Sequence, residues 1–366
     1  MRPKTRFAWF VTPHGFGHAA RSAAIVEALG RCLPEVEVEL WTSVPRWFFA
    51  ESLSVPFRHR ELVCDVGLVQ TSPVAEDLPA SLAALAAFWR AAEQGRTGEV
   101  AAELTQAGVA CVIADIAPFG LDVARAAALP SVLIENFTWD WIYEPLAAIE
   151  PRWADWSERL GRKFASADLH LQLEPCCLPA RDAQTVPPVA RVPRARSSET
   201  RGRLGIPAGD AFVLMSFGGV ESQLTTLEPL ARFAGATFVI PGASADERRE
   251  GNLRLLPHRT PIYHPDLLAA ADVVVGKLGY STVAETVAAG GRMLYVPRPG
   301  FRESAVLARY VEARLPTEAM TLAELASGEW VARLPELLAR PRPKARVSVG
   351  AAVAAAQIAR WWAEHG

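Results

Sequence analysis

The chain has 366 residues, half of them apolar and about a fifth charged, with a formal net charge of -2. That length exceeds one comfortable hydrophobic core and predicts two domains. The near-neutral balance excludes a polyelectrolyte partner such as nucleic acid, whose binders carry a basic face.

The first apolar run, "FAWFV", is far shorter than a signal-peptide core. No window approaches the roughly 18–20 apolar residues that cross a bilayer, which leaves only peripheral membrane contact. The five cysteines (Cys32, Cys64, Cys111, Cys176, Cys177) are scattered and contain no CxxC pair. They read as reduced thiols of a cytoplasmic protein, with neither a disulfide framework nor structural zinc.

In chain order, "RFAWFVTP" predicts a buried strand and residues 18–32 a helix. "VEVELWTS" is the next strand, "SLAALAAFWRAAEQ" a helix and "VACVIADI" a strand. "FGLDVARAAAL" is again a helix and "PSVLIENF" a strand. Such alternation predicts a parallel sheet covered by helices on both faces.

Proline- and arginine-rich sequence after Cys176 reads as a linker over 181–200. The pattern then restarts: "AFVLMSFGG", "ATFVIPG", "LRLLP", "DVVVGKLG" and "RMLYVPR" are strands with helices between them. The expected organisation is therefore α/β, with two Rossmann-like domains over 1–180 and 201–345 facing across a cleft. A last helix, within 346–366, is expected to return to the first domain. Open α/β sheets take ligands at the carboxyl ends of their strands, and the motifs fall at such ends.

"VVVGKLGYSTVAETVAAG" joins a strand to a helix through a glycine turn. Free N–H groups and the helix dipole at Ser281 and Thr282 suit a diphosphate, and Glu285 suits a ribose diol. The alternative is a helix capped by Ser281, with Glu285 completing a capping box. A Walker loop is excluded, because Ala271 and Leu278 stand where it needs glycine and Ser/Thr. Gly218 and Gly219 form a second glycine turn, which permits close backbone approach. Arg298, Arg302 and Glu303 follow a later strand; the arginines suit phosphate and the carboxylate sugar hydroxyls, or all three lie in a solvated loop.

In the first half, Gly15-x-Gly17-x-x-Ala20 nearly matches the dinucleotide fingerprint. The acidic ribose ligand expected at the end of the second strand is replaced by Thr42 and Ser43, which weakens a dehydrogenase reading. His18 at the helix start is a candidate general base, with Asp115 as its orienter, against the alternative of a packed histidine. Eight of the eleven tryptophans precede residue 157 and offer an acceptor pocket or simply core. No Asp-x-Asp and no metal-ligand spacing occurs, so no metal and no cofactor beyond a co-substrate is expected.

"GFGHAAR", "SFGG" and "GKLGYSTVAE" together resemble the two-Rossmann (GT-B) glycosyltransferases, distantly the peptidoglycan GlcNAc transferase. "HGFGHAAR", "ENFTWDWIYE", "HPDLLAAADVVVGKLGYSTVAE" and the Gly300–Glu303 motif resemble more closely the non-kinase N-terminal region of plant arabinokinase-type proteins and their bacterial relatives. This resemblance spans about 7–310 and implies an NDP-sugar donor in the second half and an acceptor in the first. It implies donor contacts from Gly218, Gly219, Lys277, Gly279, Ser281, Thr282, Glu285, Arg302 and Glu303. Acceptor contacts would come from His14, Gly17, Trp139 and Asp140, with His18 as base. The expected activity is an inverting, metal-independent sugar transfer. An NDP-sugar epimerase or a silent nucleotide-sugar-binding module are the alternatives. No kinase glycine-serine loop is present, so sugar phosphorylation is not implied.

Overall fold

A computed structural model describes residues 5–72, 75–217 and 226–366. The chain forms two compact units. Unit 1 comprises Met1–Val69, Glu76–Val189 and Val349–Gly366; unit 2 comprises Gln70–Ala75 and Ala190–Ser348.

The sheet strands of unit 1 are β1 (Thr5–Val11), β2 (Val36–Trp41), β3 (Phe57–Arg60), β6 (Val109–Asp115), β7 (Ser131–Glu135), β8 (Leu169–Leu173) and β9 (Gln184–Val186); β4 (Gln70–Ser72) and β5 (Ala75–Glu76) form a separate small ribbon. The seven form one sheet in the order β3-β2-β1-β6-β7-β8-β9. All its pairings are parallel. β1 and β6 are buried nearly end to end, as strands covered on both faces must be, so they read as unbroken apolar runs rather than alternating ones. Chain order reverses between β1 and β6. Val11 and Asp115, paired at their carboxyl ends, therefore border the crevice where such sheets bind ligands.

Unit 2 repeats the plan with β10 (Ala211–Ser216), β11 (Ala236–Pro241), β12 (Arg248–Glu250), β13 (Leu253–Leu256), β14 (Val273–Lys277), β15 (Met293–Val296) and β16 (Thr317–Ala319). Their order is β12-β13-β11-β10-β14-β15-β16, with only the edge strand β12 antiparallel. Side chains alternate between two cores, as the two-residue strand period requires. Val213, Met215, Val273 and Val275 pack with Trp330 and Leu334 on one face. Phe212, Leu214 and Val274 pack with Leu267 and Leu268 on the other. The reversal here lies between β10 and β14, where Ser216 faces Gly276. That contact dictates glycine, since a Cβ on Gly276 would sit 1.9 Å from the Ser216 carbonyl oxygen.

One expectation changes. Residues 181–200 are not structureless: Gln184–Val186 closes the first sheet and Ser197 starts the helix Ser197–Leu204. Short strand and helix segments bounded by proline lack the length over which periodicity shows. The last helix is Gly350–His365 and belongs to unit 1. It packs on the helix Phe16–Cys32, with Trp362 edge-on to Phe7 at 5.0 Å. At its start Gly350 leaves no room for a Cβ against the Pro187 and Pro188 carbonyls.

Candidate functional site

In unit 1, Gly15 takes φ 80°, a left-handed conformation that glycine tolerates best, and turns the chain from β1 into the helix Phe16–Cys32. A Cβ on Gly17 would meet nothing within 4 Å, so this glycine borders open space. His18 and Arg21, three residues apart, share a helix face and are 7% and 1% exposed.

Asp115, wholly buried at the end of β6, is the centre of the cluster. Arg21 grips it bidentately: Nε donates to Oδ1 at 2.9 Å and to Oδ2 at 3.0 Å, and the terminal guanidinium adds a further bond. Ser22 Oγ donates to Oδ2 at 2.6 Å and accepts from the Trp9 indole at 3.2 Å. Arg21 also reaches Asn136, just beyond β7. Burial alone pushes the Asp115 carboxyl up; the Arg21 guanidinium and His18 outweigh it and hold the group below its usual range.

His18 Nδ1 stands 3.5 Å from Asp115 Oδ1, slightly long for a formed hydrogen bond. A shift of a few tenths of an ångström makes Asp115 the acceptor for Nδ1–H, leaving Nε2 as the basic nitrogen. Immediately after Asp115, Ile116 has φ 49°. A fully buried β-branched residue there is strained, a mark common at ligand sites.

A second buried carboxylate escaped the sequence reading. Asp65 accepts from the Trp139 indole at 2.5 Å and from the Val66 amide at 2.8 Å. Burial pushes its carboxyl up to about 6, against the Thr12 and Trp139 hydrogen bonds that favour the ion. His14 lies edge-on to Trp139, ring centroids 5.1 Å apart, and Gly67 (φ +62°) lets both approach the backbone. Trp139 is 0% exposed and stacked on Tyr143, whose hydroxyl donates to the Gly67 carbonyl. It is thus a core ring that fixes Asp65, not an open face for an acceptor. Asp140 lies apart, against Gly161 of the helix Arg152–Phe164, and burial raises its carboxyl.

In unit 2 the turn after β14 opens the helix Tyr280–Ala289. Its N-cap is Gly279, without a side-chain cap, so neither the Ser281 cap nor the Glu285 capping box forms. Tyr280, Ser281 and Thr282 form the first turn, where backbone N–H groups point out of the helix end. Ser281 is buried, whereas Lys277, Gly279 and Thr282 are partly exposed.

Glu285, 5% exposed, accepts from Arg191 Nε at 2.8 Å on one oxygen and from its terminal nitrogen at 3.4 Å on the other. His264 Nδ1 is 3.9 Å from Glu285 and its Nε2 3.1 Å from Ser216 Oγ. Burial raises the Glu285 carboxyl, but Arg191 and His264 together hold it below its ordinary value. Arg191, His264 and Ser216 come from an irregular segment, a helix start and a strand end, and no sequence spacing announces them.

Arg298 is buried and stacks on Phe301 at 4.3 Å. Arg302 is exposed at the N-cap of Glu303–Glu312, and Glu303 is buried at that helix's first position. Gly218 and Gly219 lie outside the described residues. Among the described residues no group of three His, Cys, Asp or Glu side chains suits a metal ion.

No protein-family model matches the chain. It is 29% identical over 333 residues to L-arabinokinase of Arabidopsis thaliana, which covers 88% of this chain. The chain spans about a third (31%) of the length of that relative. Among solved structures, the calicheamicin glycosyltransferase CalG4 superposes with a TM-score of 0.64 at 15% identity, covering 100% of this chain and 98% of its own. MurG of Acinetobacter baumannii gives 0.58 at 14% identity, covering 98% and 100%. The chain has the two-Rossmann fold of the GT-B glycosyltransferases.

Proposed function

We propose that the protein is a glycosyltransferase that moves a sugar from a nucleoside-diphosphate donor to an acceptor hydroxyl. The observation that carries this reading is that each unit holds a polar constellation at its own strand-order reversal. Unit 1 offers His18 beside a buried, ionised Asp115. Unit 2 offers a helix N-terminus opened by Gly279 and followed one turn later by Glu285.

In this reading His18 Nε2 removes the acceptor proton while Asp115 stabilises the imidazolium that forms. The acceptor oxygen attacks the anomeric carbon from the side opposite the leaving group, so configuration inverts. The carbon–oxygen bond to the diphosphate breaks, and the departing charge is met by the N–H groups of Ser281 and Thr282, by Lys277 and by Arg302. Glu285 accepts from the ribose diol, and Glu303 from donor-sugar hydroxyls. His14 and Gly17 border the acceptor. No metal is required, because helix amides and cations supply the countercharge.

Thermal-shift screening across UDP-, dTDP- and GDP-sugars tests the donor assignment. A bound donor at a hundred times its Kd stabilises by about 2.7 kcal/mol. Stabilisation by none of these sugars would refute the reading. Glu285→Gln is expected to abolish the shift. His18→Ala is expected to preserve the shift and abolish transfer, whereas a silent binding module would lose nothing with His18→Ala.

A further inference from the structure

Two segments of unit 2, residues 190–203 and 340–348, carry more positive charge than their ion pairs neutralise. Together they hold nine cations against one carboxylate, in a chain whose net charge is -2. They run side by side in opposite directions. The Ala190 amide donates to Ser348 Oγ at 3.2 Å, and Asp272 pairs with both Arg201 (2.9 Å) and Arg342 (3.4 Å). Both lie along the helix Tyr280–Ala289: Arg191 at Glu285, the Arg346 amide at the Ala288 carbonyl, and Arg342 at the Gly290 carbonyl.

Five of the nine cations neutralise carboxylates, namely Arg191, Arg196, Arg201, Arg340 and Arg342. Arg203, Lys344 and Arg346 are exposed and meet no carboxylate among the described residues. The same two segments present two aliphatic side chains to water, Val192 at 64% and Val347 at 83% exposure. A nucleic-acid surface would pair its cations with open aromatic rings, but Tyr263 here is covered by Arg191 and Arg194. Cations flanked by exposed aliphatic tips match the boundary between anionic headgroups and acyl chains. No helix of the described residues is long and apolar enough to cross a membrane, so such contact is peripheral.

We propose that this strip docks the protein on an anionic lipid bilayer, with Arg203, Lys344 and Arg346 at headgroup phosphates and Val192 and Val347 in the interfacial layer. The surface stands independently of the transferase reading. Co-sedimentation of the full chain with vesicles of phosphatidylcholine, alone or mixed with phosphatidylglycerol, tests it. Binding is expected only to the mixed vesicles, and to weaken as salt rises.

Lys344→Glu with Arg346→Glu is expected to lower partitioning by at least fivefold for each cation lost, on the order of 1 kcal/mol apiece. Val347→Ser, which leaves the charge unchanged, is expected to lower it severalfold. Arg232→Glu, on the opposite sheet face, is the control compared with Lys344→Glu alone, and is expected to leave binding within twofold once its global charge effect is screened by moderate salt. All these positions are exposed, so unchanged thermal melting verifies each variant. Absence of binding to mixed vesicles, equal loss in the control, or an unaffected Val347→Ser variant overturns the proposal. Retention on heparin or single-stranded DNA without vesicle binding overturns it as well.

Discussion

Removing Arg21 orphans a carboxylate that has nowhere to go. Asp115 is 0% exposed, and in Arg21→Met it keeps only the Ser22 hydroxyl at 2.6 Å and His18 at 3.5 Å. The folded protein then chooses between burying an unpaired charge and protonating it. Protonation sets the ceiling: from an ordinary value of 3.8, it costs about 4 kcal/mol at pH 7 and about 1.6 kcal/mol at pH 5, at 1.36 kcal/mol per pH unit. The pH 7 figure falls within the roughly 3–5 kcal/mol typical of breaking a buried ion pair.

The wild type behaves in the opposite way. Its depressed Asp115 contributes stability that is complete above the unfolded pKa and is lost only as pH falls through the lower folded value. Urea unfolding followed by tryptophan fluorescence measures both proteins, because ten of the eleven tryptophans lie in unit 1 and only Trp330 in unit 2. Adding Asp115→Asn to Arg21→Met removes the orphan charge and is expected to restore most of the loss at pH 7. A penalty below about 1 kcal/mol at pH 7, or one that does not shrink by pH 5, refutes Asp115 as a buried anion held by Arg21.

Asp65 gives the reverse pH dependence. Its folded value near 6 exceeds the ordinary 3.8, so it costs stability progressively as pH rises through that window, about 3 kcal/mol in all; Asp65→Asn is expected to flatten the pH dependence of the urea midpoint between pH 4 and 7. Gly276→Ala drives a Cβ onto the Ser216 carbonyl and is expected to cost unit 2 about 3 kcal/mol or more in calorimetry. Gly17→Ala has space around it, so stability is expected to move by no more than about 1 kcal/mol while transfer to the acceptor falls. Chelation by EDTA is expected to leave sugar transfer unchanged, and a loss restored by one divalent metal would replace the metal-independent mechanism.

Local sequence determined inner strands such as β1, β6, β10 and β14 and the turns that end them, but not β3 or β8. Buried parallel strands need continuous apolar runs such as "FAWFV" and "VVV", and turns into helices need glycine, so both are written in neighbouring residues. His18 and Asp115 were legible for the same reason: each stands at the visible end of an element. The short strand Gln184–Val186 and the helix Ser197–Leu204 were not, because three to eight residues between prolines hold too little periodicity.

What each polar group does was decided by strand order. Arg21 is in plain view in "GFGHAAR", yet only the pairing of β1 with β6 brings Asp115, 94 residues away, into its grip. Glu285 finds Arg191 across the same interval, 94 residues, and Trp139 finds Asp65 across 74. Buried charges are tolerated only when paired, and a pair of that sequence separation leaves no local pattern. The sequence thus determined where the ends of strands and helices lie, and the tertiary structure decided which charges meet there.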